Sequence, residues 1–321
     1  MGIKSSHKDP LCKGGQILVF GPVASRRLGF SLGLDLVPFK TCTLDCVYCQ
    51  LGRTTHKIIE RKGYISEEQL LSQLERVLSE RRRIDHITLS GSGEPTLNSK
   101  IGRIIKSVKG ITSIPVAVLT NGTLFSQEGV RDELMNADVV IPSLDAASQE
   151  VFEAVNRPTE GLSVERIIEG QKAFREEYHG QLWLEVMLVK GLNDTPEELE
   201  RIRQAIREIS PERVQLNSVV RPPAEEFARP VADERLEEIQ RFLGDGCEVI
   251  AQGGRRVQSL FDGGIEEAIT QILRRRPATA EEIASSLGLH PNVIRKQILT
   301  LERKGKVIPV MHENGRYYRI S

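Results

Sequence analysis

Short apolar runs alternate along most of the chain with segments in which apolar residues recur every three or four positions. The runs are near-continuous and rich in β-branched residues, which is typical of parallel strands buried on both faces. The other segments have the spacing of helices that bury one face. The pattern predicts eight strands, at residues 16–20, 31–37, 86–90, 116–119, 139–143, 182–189, 213–219 and 248–251.

Capping residues mark where two of the helices begin. Ser66 is followed three residues later by Gln69, and Thr195 is followed by Pro196 and Glu198. Apolar periodicity then predicts helices at residues 66–78, 101–108, 164–178 and 195–209. Repeated strand–helix units predict an α/β fold with a parallel sheet. The six or so units are too few for a closed eight-stranded barrel, and on pattern alone a doubly wound open sheet remains an alternative.

Pairs of glycines at residues 253–254 and 263–264 predict a domain boundary. We therefore expect a large domain over residues 1–252, a linker over 253–263 and a small domain over 264–321.

The small domain has the pattern of a winged helix-turn-helix. One helix begins near Ile265, Thr279 caps a second helix together with Glu282, and a third covers residues 291–304. Two short strands flank Asn314-Gly315, a pair of residues that predicts a two-residue hairpin turn.

Charge and composition add two expectations. The 321 residues carry 44 basic and 44 acidic side chains, but from Gly264 onward ten basic residues face six acidic ones, which weakly favours an anionic partner for the small domain. The sequence has no apolar run long enough to span a bilayer and no apolar core of a signal peptide at its start. We expect a cytoplasmic protein that does not enter membranes.

Three of the five cysteines lie within eight residues, at Cys42, Cys46 and Cys49. In a reducing compartment such a cluster indicates a metal site, and here it follows the carboxyl end of a predicted strand. Three thiolates can each bind one iron of a [4Fe–4S] cluster and leave the fourth iron open to another ligand. A zinc site completed by His56 is the alternative. Cys12 and Cys247 lie far apart in the sequence and have no assigned role.

The C-x3-C-x2-C loop, with Tyr48 before its last cysteine, resembles the signature of the radical S-adenosylmethionine (SAM) superfamily. The resemblance implies a partial (β/α)6 barrel, a [4Fe–4S] cluster on the three cysteines and SAM on the open iron. It also implies that Tyr48 packs beside the adenine, that the glycine-rich segment meets the methionine amino group and that Glu185 contacts the ribose. The positions expected to contact SAM are Tyr48, Gly91, Ser92, Gly93, Glu94, Thr120, Asn121, Ser143, Asp145 and Glu185.

The segments at residues 20–29 and 48–54 are similar to a subgroup of Fe–S oxidoreductases related to the tRNA wyosine-base synthases. Those synthases carry a second cluster, for which this chain lacks cysteines, so their reaction is not carried over. Arg26 and Arg27, within the first segment, are expected either to contact an anionic substrate or the SAM carboxylate, or to pair with acids of the barrel.

The resemblance implies an enzyme that cleaves SAM reductively, with flavodoxin or ferredoxin as electron donor, and abstracts hydrogen from a substrate. A macromolecule is the expected substrate, with RNA favoured over protein. The alternatives are an activase that places a radical on a partner enzyme and a redox-sensing regulator that binds nucleic acid. The winged helix would bind nucleic acid, or else a protein, through its third helix, which carries Asn292, Arg295, Lys296 and Arg303.

Overall fold

A computed structural model describes residues 17–80, 82–250, 265–287, 289, 291–312 and 315–321. The strands are β1 Val19–Ser25, β2 Gly29–Leu34, β3 Thr41–Cys42, β4 His56–Lys57, β5 His86–Leu89, β6 Val116–Thr120, β7 Val139–Pro142, β8 Gln181–Leu188, β9 Arg213–Ser218, β10 Cys247–Val249, β11 Val307–His312 and β12 Gly315–Ile320. The helices are α1 Glu67–Ser79, α2 Ile101–Ile111, α3 Glu128–Leu134, α4 Gln149–Asn156, α5 Val164–Glu177, α6 Pro196–Ile209, α7 Asp233–Leu243, α8 Ile265–Arg275, α9 Ala280–Leu287 and α10 Pro291–Arg303.

Among the described residues, the main sheet has eight strands in the order β1-β2-β5-β6-β7-β8-β9-β10. β1 is antiparallel to β2, and every other pair of neighbours is parallel. One face of the sheet packs under the helices in the main hydrophobic core. The other face forms a separate small cluster of strand and turn residues, with Leu28 packed against Ala117, Val139 and Ile141. A doubly wound sheet has helices on both faces. Among the described residues, helices cover one face of this sheet and strand and turn residues cluster on the other, so the partial barrel is confirmed.

The predicted helix starts at Ser66 and Thr195 are confirmed. The Ser66 hydroxyl accepts a hydrogen bond from the Gln69 N–H at 3.3 Å, and the Thr195 hydroxyl accepts one from the Glu198 N–H at the same distance. Each bond satisfies a backbone donor that the first helical turn leaves without a partner.

The first strand differs from its prediction at residues 16–20. β1 begins later and continues through Gly21-Pro22, where its register with β2 shifts between Phe20 and Val23. In the sheet the glycine and proline form an irregularity on an edge strand, where a missing N–H is tolerated. The short parallel pair β3–β4 was not predicted, because two-residue strands have no periodicity.

The C-terminal residues form the expected three helices and hairpin. Their core contains Ile269, Ile283, Ile294 and Ile298, and Thr279 and Glu282 form the predicted reciprocal cap. The hairpin turn was predicted at Asn314-Gly315, which is one residue too late. His312 pairs with Gly315, so this glycine is the first residue of β12 and not a turn residue. Residue 314 and the predicted linker over 253–263 lie outside the described residues.

The winged-helix unit packs on the edge of the main sheet. α8 and α9 contact β1, and Val23 packs against the core of the unit. On the other side of the unit, the Tyr317 hydroxyl donates a hydrogen bond to the Val220 carbonyl, just beyond β9. Within the described residues, no helix has the length and apolar character to cross a membrane.

Candidate cluster and cofactor site

The cysteine loop begins where β2 has ended, at the carboxyl edge of the sheet. The β3–β4 pair closes its base, and Asp45 and Val47 donate backbone hydrogen bonds to the carbonyls of Asn156 and Val155. The loop is thus held at its base and against the end of α4, which fixes the positions of the three thiols.

Each of the three cysteine sulfurs faces a side-chain N–H donor. Asn121 Nδ2 lies 3.5 Å from Cys42 Sγ, Asn156 Nδ2 lies 3.4 Å from Cys46 Sγ, and Lys40 Nζ lies 3.5 Å from Cys49 Sγ. Donors of this kind stabilise negative charge on sulfur and tune the reduction potential of a bound cluster.

These thiols fit an iron–sulfur cluster better than a single zinc ion. In the described part of the chain, no group of three or more His, Cys, Asp or Glu side chains is placed to hold one metal ion. His56, the expected fourth zinc ligand, is exposed on β4. Burial raises the pKa of the Cys42 thiol to about 12. A protein-bound iron that replaces the thiol proton would compensate that cost.

The glycine-rich segment lies directly against the cysteine loop. A Cβ on Gly93 would come 1.8 Å from the Thr41 carbonyl oxygen, so only glycine fits there. Gly91 has φ +134°, a conformation that favours glycine. The Asp35 carboxylate accepts hydrogen bonds from the Ser92 N–H and hydroxyl and thereby fixes the segment.

Glu94 connects this segment to the end of β6. Its buried carboxylate accepts hydrogen bonds from the Thr96 N–H and hydroxyl, the Thr120 hydroxyl and the Asn121 N–H, at 2.6 to 3.0 Å. Burial raises the pKa of Glu94, against the opposing effect of these bonds. Because three of the bonds fall on Oε1 and one on Oε2, the second oxygen keeps acceptor capacity for a ligand amine.

Asp145 lies at the end of β7 and joins the cysteine loop to β8. Its carboxylate accepts hydrogen bonds from the Tyr48 hydroxyl, from Asn156 Nδ2 at 2.7 Å and from the Met187 N–H at 3.0 Å. Burial raises the pKa of Asp145 to about 6. Asp145 does not cap the helix that follows, because α4 begins later, after Ser148.

Glu185 projects from β8 and pairs with one of the two predicted arginines. Arg27 Nη1 lies 2.9 Å from Glu185 Oε2, and Asn217 Nδ2 donates to Oε1 at 3.1 Å. Burial alone would raise the pKa of Glu185, but Arg27 and these bonds hold it below its ordinary value. Arg26 donates to Asn217 Oδ1 at 3.3 Å. Ser143 forms a backbone bridge to Glu185 and thus joins the same group.

Sequence reasoning missed four residues that position this site: Lys40, Asp35, Asn156 and Asn217. Asp35 follows β2 at the carboxyl edge of the sheet, a signal that could have identified it. Asn156 ends a helix that the sequence pattern did not predict, and nothing in its neighbourhood marks it. Cys247 is buried in β10, apart from the cysteine loop.

A cavity of about 1150 Å³ lies between the barrel and the winged-helix unit. Its lining includes Gly52 from the end of the cysteine loop, Ser92 from the glycine-rich segment and residues of α8 and β12. Arg275 of α8 reaches across to pair with Asp35 and donates to the Ser92 hydroxyl at 2.8 Å. The winged-helix unit therefore forms one wall of the cavity next to the glycine-rich segment.

On the outer surface, α10 carries the residues expected to contact nucleic acid. Arg295 pairs with Glu281 and donates to Asn292 Oδ1 at 3.2 Å, so its charge is partly neutralised. Val293 and Leu299 of α10 are exposed, together with Met311 of the hairpin. The surface is thus mixed, basic and apolar.

Two family profiles match the chain: the radical SAM superfamily over residues 36–206 and an HTH domain over residues 266–319. The chain is 31% identical to the UPF0026 protein MJ1312 of Methanocaldococcus jannaschii over 313 residues, which cover 94% of this chain and 95% of that protein. It is 36% identical over 292 residues to a Brachyspira hyodysenteriae protein named GTPase Obg. That match covers 90% of this chain but only 43% of the relative.

More distant similarity extends to a probable dual-specificity RNA methyltransferase RlmN of Thermosipho melanesiensis, 24% identical over 246 residues, with 73% of this chain and 67% of that protein covered. Among solved structures, a radical SAM methyltransferase from Sphaerobacter thermophilus superimposes with a TM-score of 0.53 at 18% identity and shows the same fold. The match covers 68% of this chain and 65% of the other. A [4Fe–4S] cluster and SAM are the cofactors of the matched superfamily. The chain belongs to the radical SAM superfamily and, within it, to the UPF0026 proteins.

Proposed function

We propose that this protein cleaves SAM reductively to a 5′-deoxyadenosyl radical, which abstracts hydrogen from a macromolecular substrate, with RNA as the favoured substrate. The cluster supplies the electron when it is bound to Cys42, Cys46 and Cys49. The observation that carries the proposal is the arrangement of these cysteines on one held loop, each with an N–H donor, beside a glycine-rich segment that touches the loop. Three protein ligands leave one iron for SAM.

The residues around the loop have complementary tasks in this proposal. The glycine-rich segment would accept the methionine amino group, with Glu94 Oε2 as an available acceptor. Tyr48 would pack beside the adenine while Asp145 holds its hydroxyl, and Glu185 would meet the ribose. The further residues proposed to border SAM are Gly91, Ser92, Gly93, Thr120, Asn121 and Ser143. Their role is placement, since the reactive carbon must lie near its target and away from other groups.

RNA is favoured because the winged-helix unit forms one wall of the cavity beside the glycine-rich segment, where we propose that the substrate binds. Such units commonly contact nucleic acid, and α10 presents Arg295, Lys296 and Arg303. The similar RlmN protein is named an RNA methyltransferase, which supports the same substrate class. A cytoplasmic location, with flavodoxin or ferredoxin as electron donor, fits this proposal.

The test is anaerobic reconstitution with iron and sulfide, followed by reduction in the presence of SAM and measurement of 5′-deoxyadenosine. Release of 5′-deoxyadenosine supports the proposal, and stoichiometric zinc with no iron uptake contradicts it. Deuterium transfer into 5′-deoxyadenosine from deuterated RNA, but not from deuterated protein, would identify the substrate. Loss of a backbone hydrogen from a partner enzyme would instead indicate an activase. DNA binding that changes with cluster oxidation, without SAM cleavage, would indicate a redox regulator.

A further inference from the structure

Four arginines from three parts of the fold converge beside the proposed SAM site. Arg26 and Arg27 lie in the turn between β1 and β2, Arg221 follows β9, and Arg276 follows α8. The barrel and the winged-helix unit therefore both contribute guanidinium groups. Two of these four residues, Arg221 and Arg276, had no place in the sequence prediction.

Two carboxylates partly neutralise this group. Arg27 pairs with Glu185, as described above, and Glu282 of α9 lies 2.8 Å from Arg221 and 3.6 Å from Arg276. Four guanidinium groups thus share two carboxylates, which leaves an excess of two positive charges. Arg26 has only the neutral amide of Asn217 as a hydrogen-bond acceptor among the described residues.

Three buried nitrogens in the group make no hydrogen bond with any described residue: Nη1 of Arg27, Nε of Arg221 and Nη1 of Arg276. Nη1 of Arg27 and Nη1 of Arg276 lie in the ion pairs with Glu185 and Glu282, whereas Nε of Arg221 has no partner among the described residues. The side chains of Arg221 and Arg276 are 16% and 15% exposed, so water reaches little of either. A buried donor without an acceptor costs free energy, and more so on a charged group.

Repulsion among the buried guanidinium groups also costs free energy. Burial, together with the neighbouring guanidinium of Arg221, lowers the pKa of Arg26 to about 10 and that of Arg276 to about 9. Like charges held together out of water repel each other, and a bound anion would remove that cost.

Arg276 also lines the cavity between the barrel and the winged-helix unit. The arginines in that lining are Arg229, Arg274, Arg275, Arg276 and Arg319. The acids in it, within the described residues, are Asp35 and Glu226. An anion that enters the cavity would therefore meet a basic lining that includes Arg276.

We propose that Arg26, Arg221 and Arg276 form a two-domain binding site for a phosphate group of a nucleotide substrate. This inference rests on the proposed function, because it treats the cavity as the place where the substrate binds. Guanidinium groups match phosphate oxygens through paired N–H donors, and three of them from separate elements can surround one tetrahedral group. Arg27 is not included because Glu185 already pairs with it.

The test uses the full-length, anaerobically reconstituted protein and inorganic phosphate as the probe, titrated by calorimetry against chloride at equal ionic strength. Arg276→Gln removes one guanidinium and leaves Glu282 paired with Arg221. Arg207→Gln, at an exposed position of α6 outside the cavity lining, is the charge-matched control. We expect phosphate affinity to fall about tenfold or more in Arg276→Gln, as for loss of one charge-assisted hydrogen bond, and to be retained in Arg207→Gln. Arg26→Gln is a second variant with the same expected loss.

Thermal stability without phosphate gives an independent readout. Arg276→Gln should melt no lower than the wild type, because the substitution relieves repulsion among the arginines. A lower melting temperature would mean that Arg276 has a structural role, and would overturn the proposal. No phosphate binding beyond the chloride effect, or equal losses in Arg276→Gln and Arg207→Gln, would also overturn it.

The source of the phosphate is distinguished by two further probes. Competition by a nucleoside 5′-monophosphate, but not by the nucleoside, supports a free nucleotide, whereas tighter binding of a short RNA supports a polynucleotide. Failure of the inference remains separate from failure of the proposed function. SAM cleavage without phosphate binding rejects the inference alone, and phosphate binding without 5′-deoxyadenosine release rejects the function.

Discussion

Arg275, at the end of α8, forms an ion pair with Asp35, the residue whose carboxylate holds the glycine-rich segment. The pair joins the winged-helix unit to the barrel. Arg275 also donates to the Ile17 carbonyl at 3.2 Å and lies over the Phe20 ring, 4.5 Å from its centroid. The position of the winged-helix unit and that of the segment proposed to bind SAM are therefore linked through one guanidinium.

Replacing Arg275 with Gln should weaken both stability and SAM binding. The substitution leaves the Asp35 carboxylate, 5% exposed, without its counter-charge, and breaking a buried pair in this way costs roughly 3–5 kcal/mol. We expect a lower melting temperature and a higher SAM dissociation constant, measured by calorimetry and equilibrium binding. Arg274→Gln should behave like the wild type, and an Arg275→Gln protein with unchanged SAM affinity would show that the link has no effect on the cofactor site.

Gly93→Ala should prevent cluster assembly. The added Cβ would overlap the carbonyl oxygen of Thr41, the residue before the first cysteine, so the cysteine loop must move. Iron and sulfide content after reconstitution should fall severalfold. Gly110→Ala is the control, because a Cβ there meets no atom within 4 Å and alanine is the better helix former. Full iron content in Gly93→Ala would show that the space beside the Thr41 carbonyl oxygen does accommodate a Cβ at residue 93, contrary to this prediction.

Cys46→Ala should abolish both the cluster and SAM cleavage. One iron of the cluster has no protein ligand even in the wild type. Without Cys46 another iron loses its protein ligand, and the loop would hold the cluster at only two corners. Cys247→Ala, in the buried strand β10, should keep its iron and its activity. Iron analysis and 5′-deoxyadenosine measurement on the two variants give the comparison, and retained cleavage in Cys46→Ala would rule out the ligand assignment.

From the raised pKa of Asp145 we expect the stability of the iron-free protein to depend on pH. This pKa is about 6 in the folded state against an ordinary 3.8, so the folded state binds a proton more tightly than the unfolded chain does. Stability should therefore fall as the pH rises from about 4 through 6, by at most on the order of 3 kcal/mol. Asp145→Asn lacks this component, so its free energy of unfolding, measured in urea, should depend less on pH across that window. Parallel profiles for the two proteins would contradict the prediction, and exposed Glu160→Gln is the control.

The sequence predicted most of the fold because buried parallel strands and capped helices leave local signals. Ser66 and Thr195 are examples in which a hydroxyl three residues before its backbone partner determines where a helix begins. The cysteine loop, taken with Tyr48 and the segments at the strand ends, was sufficient to predict the family, whereas the assignment of Cys42, Cys46 and Cys49 as cluster ligands stays a prediction. Whether the residues expected around SAM contact it stays a prediction.

What the sequence did not predict depends on contacts between distant residues. Lys40, whose backbone has φ +61°, contacts Cys49, and Asn156 contacts Cys46 from the end of α4. Arg221 and Arg276 lie 55 residues apart in numbering and become neighbours only through the shared carboxylate of Glu282. Side chains of this kind have no local pattern by which they could be recognised.

The position of α8 and α9 over β1 matters during synthesis of the chain. β1 is an edge strand with unpaired backbone groups on its outer side and with Val23 available to another apolar surface, until α8 and α9 are synthesised and cover it. Uncovered edges of this kind pair readily with strands of other molecules. Helices α8 and α9, which are synthesised after the barrel, thus protect β1 from aggregation, and a shortened chain that ends before α8 would keep the hazard for its lifetime.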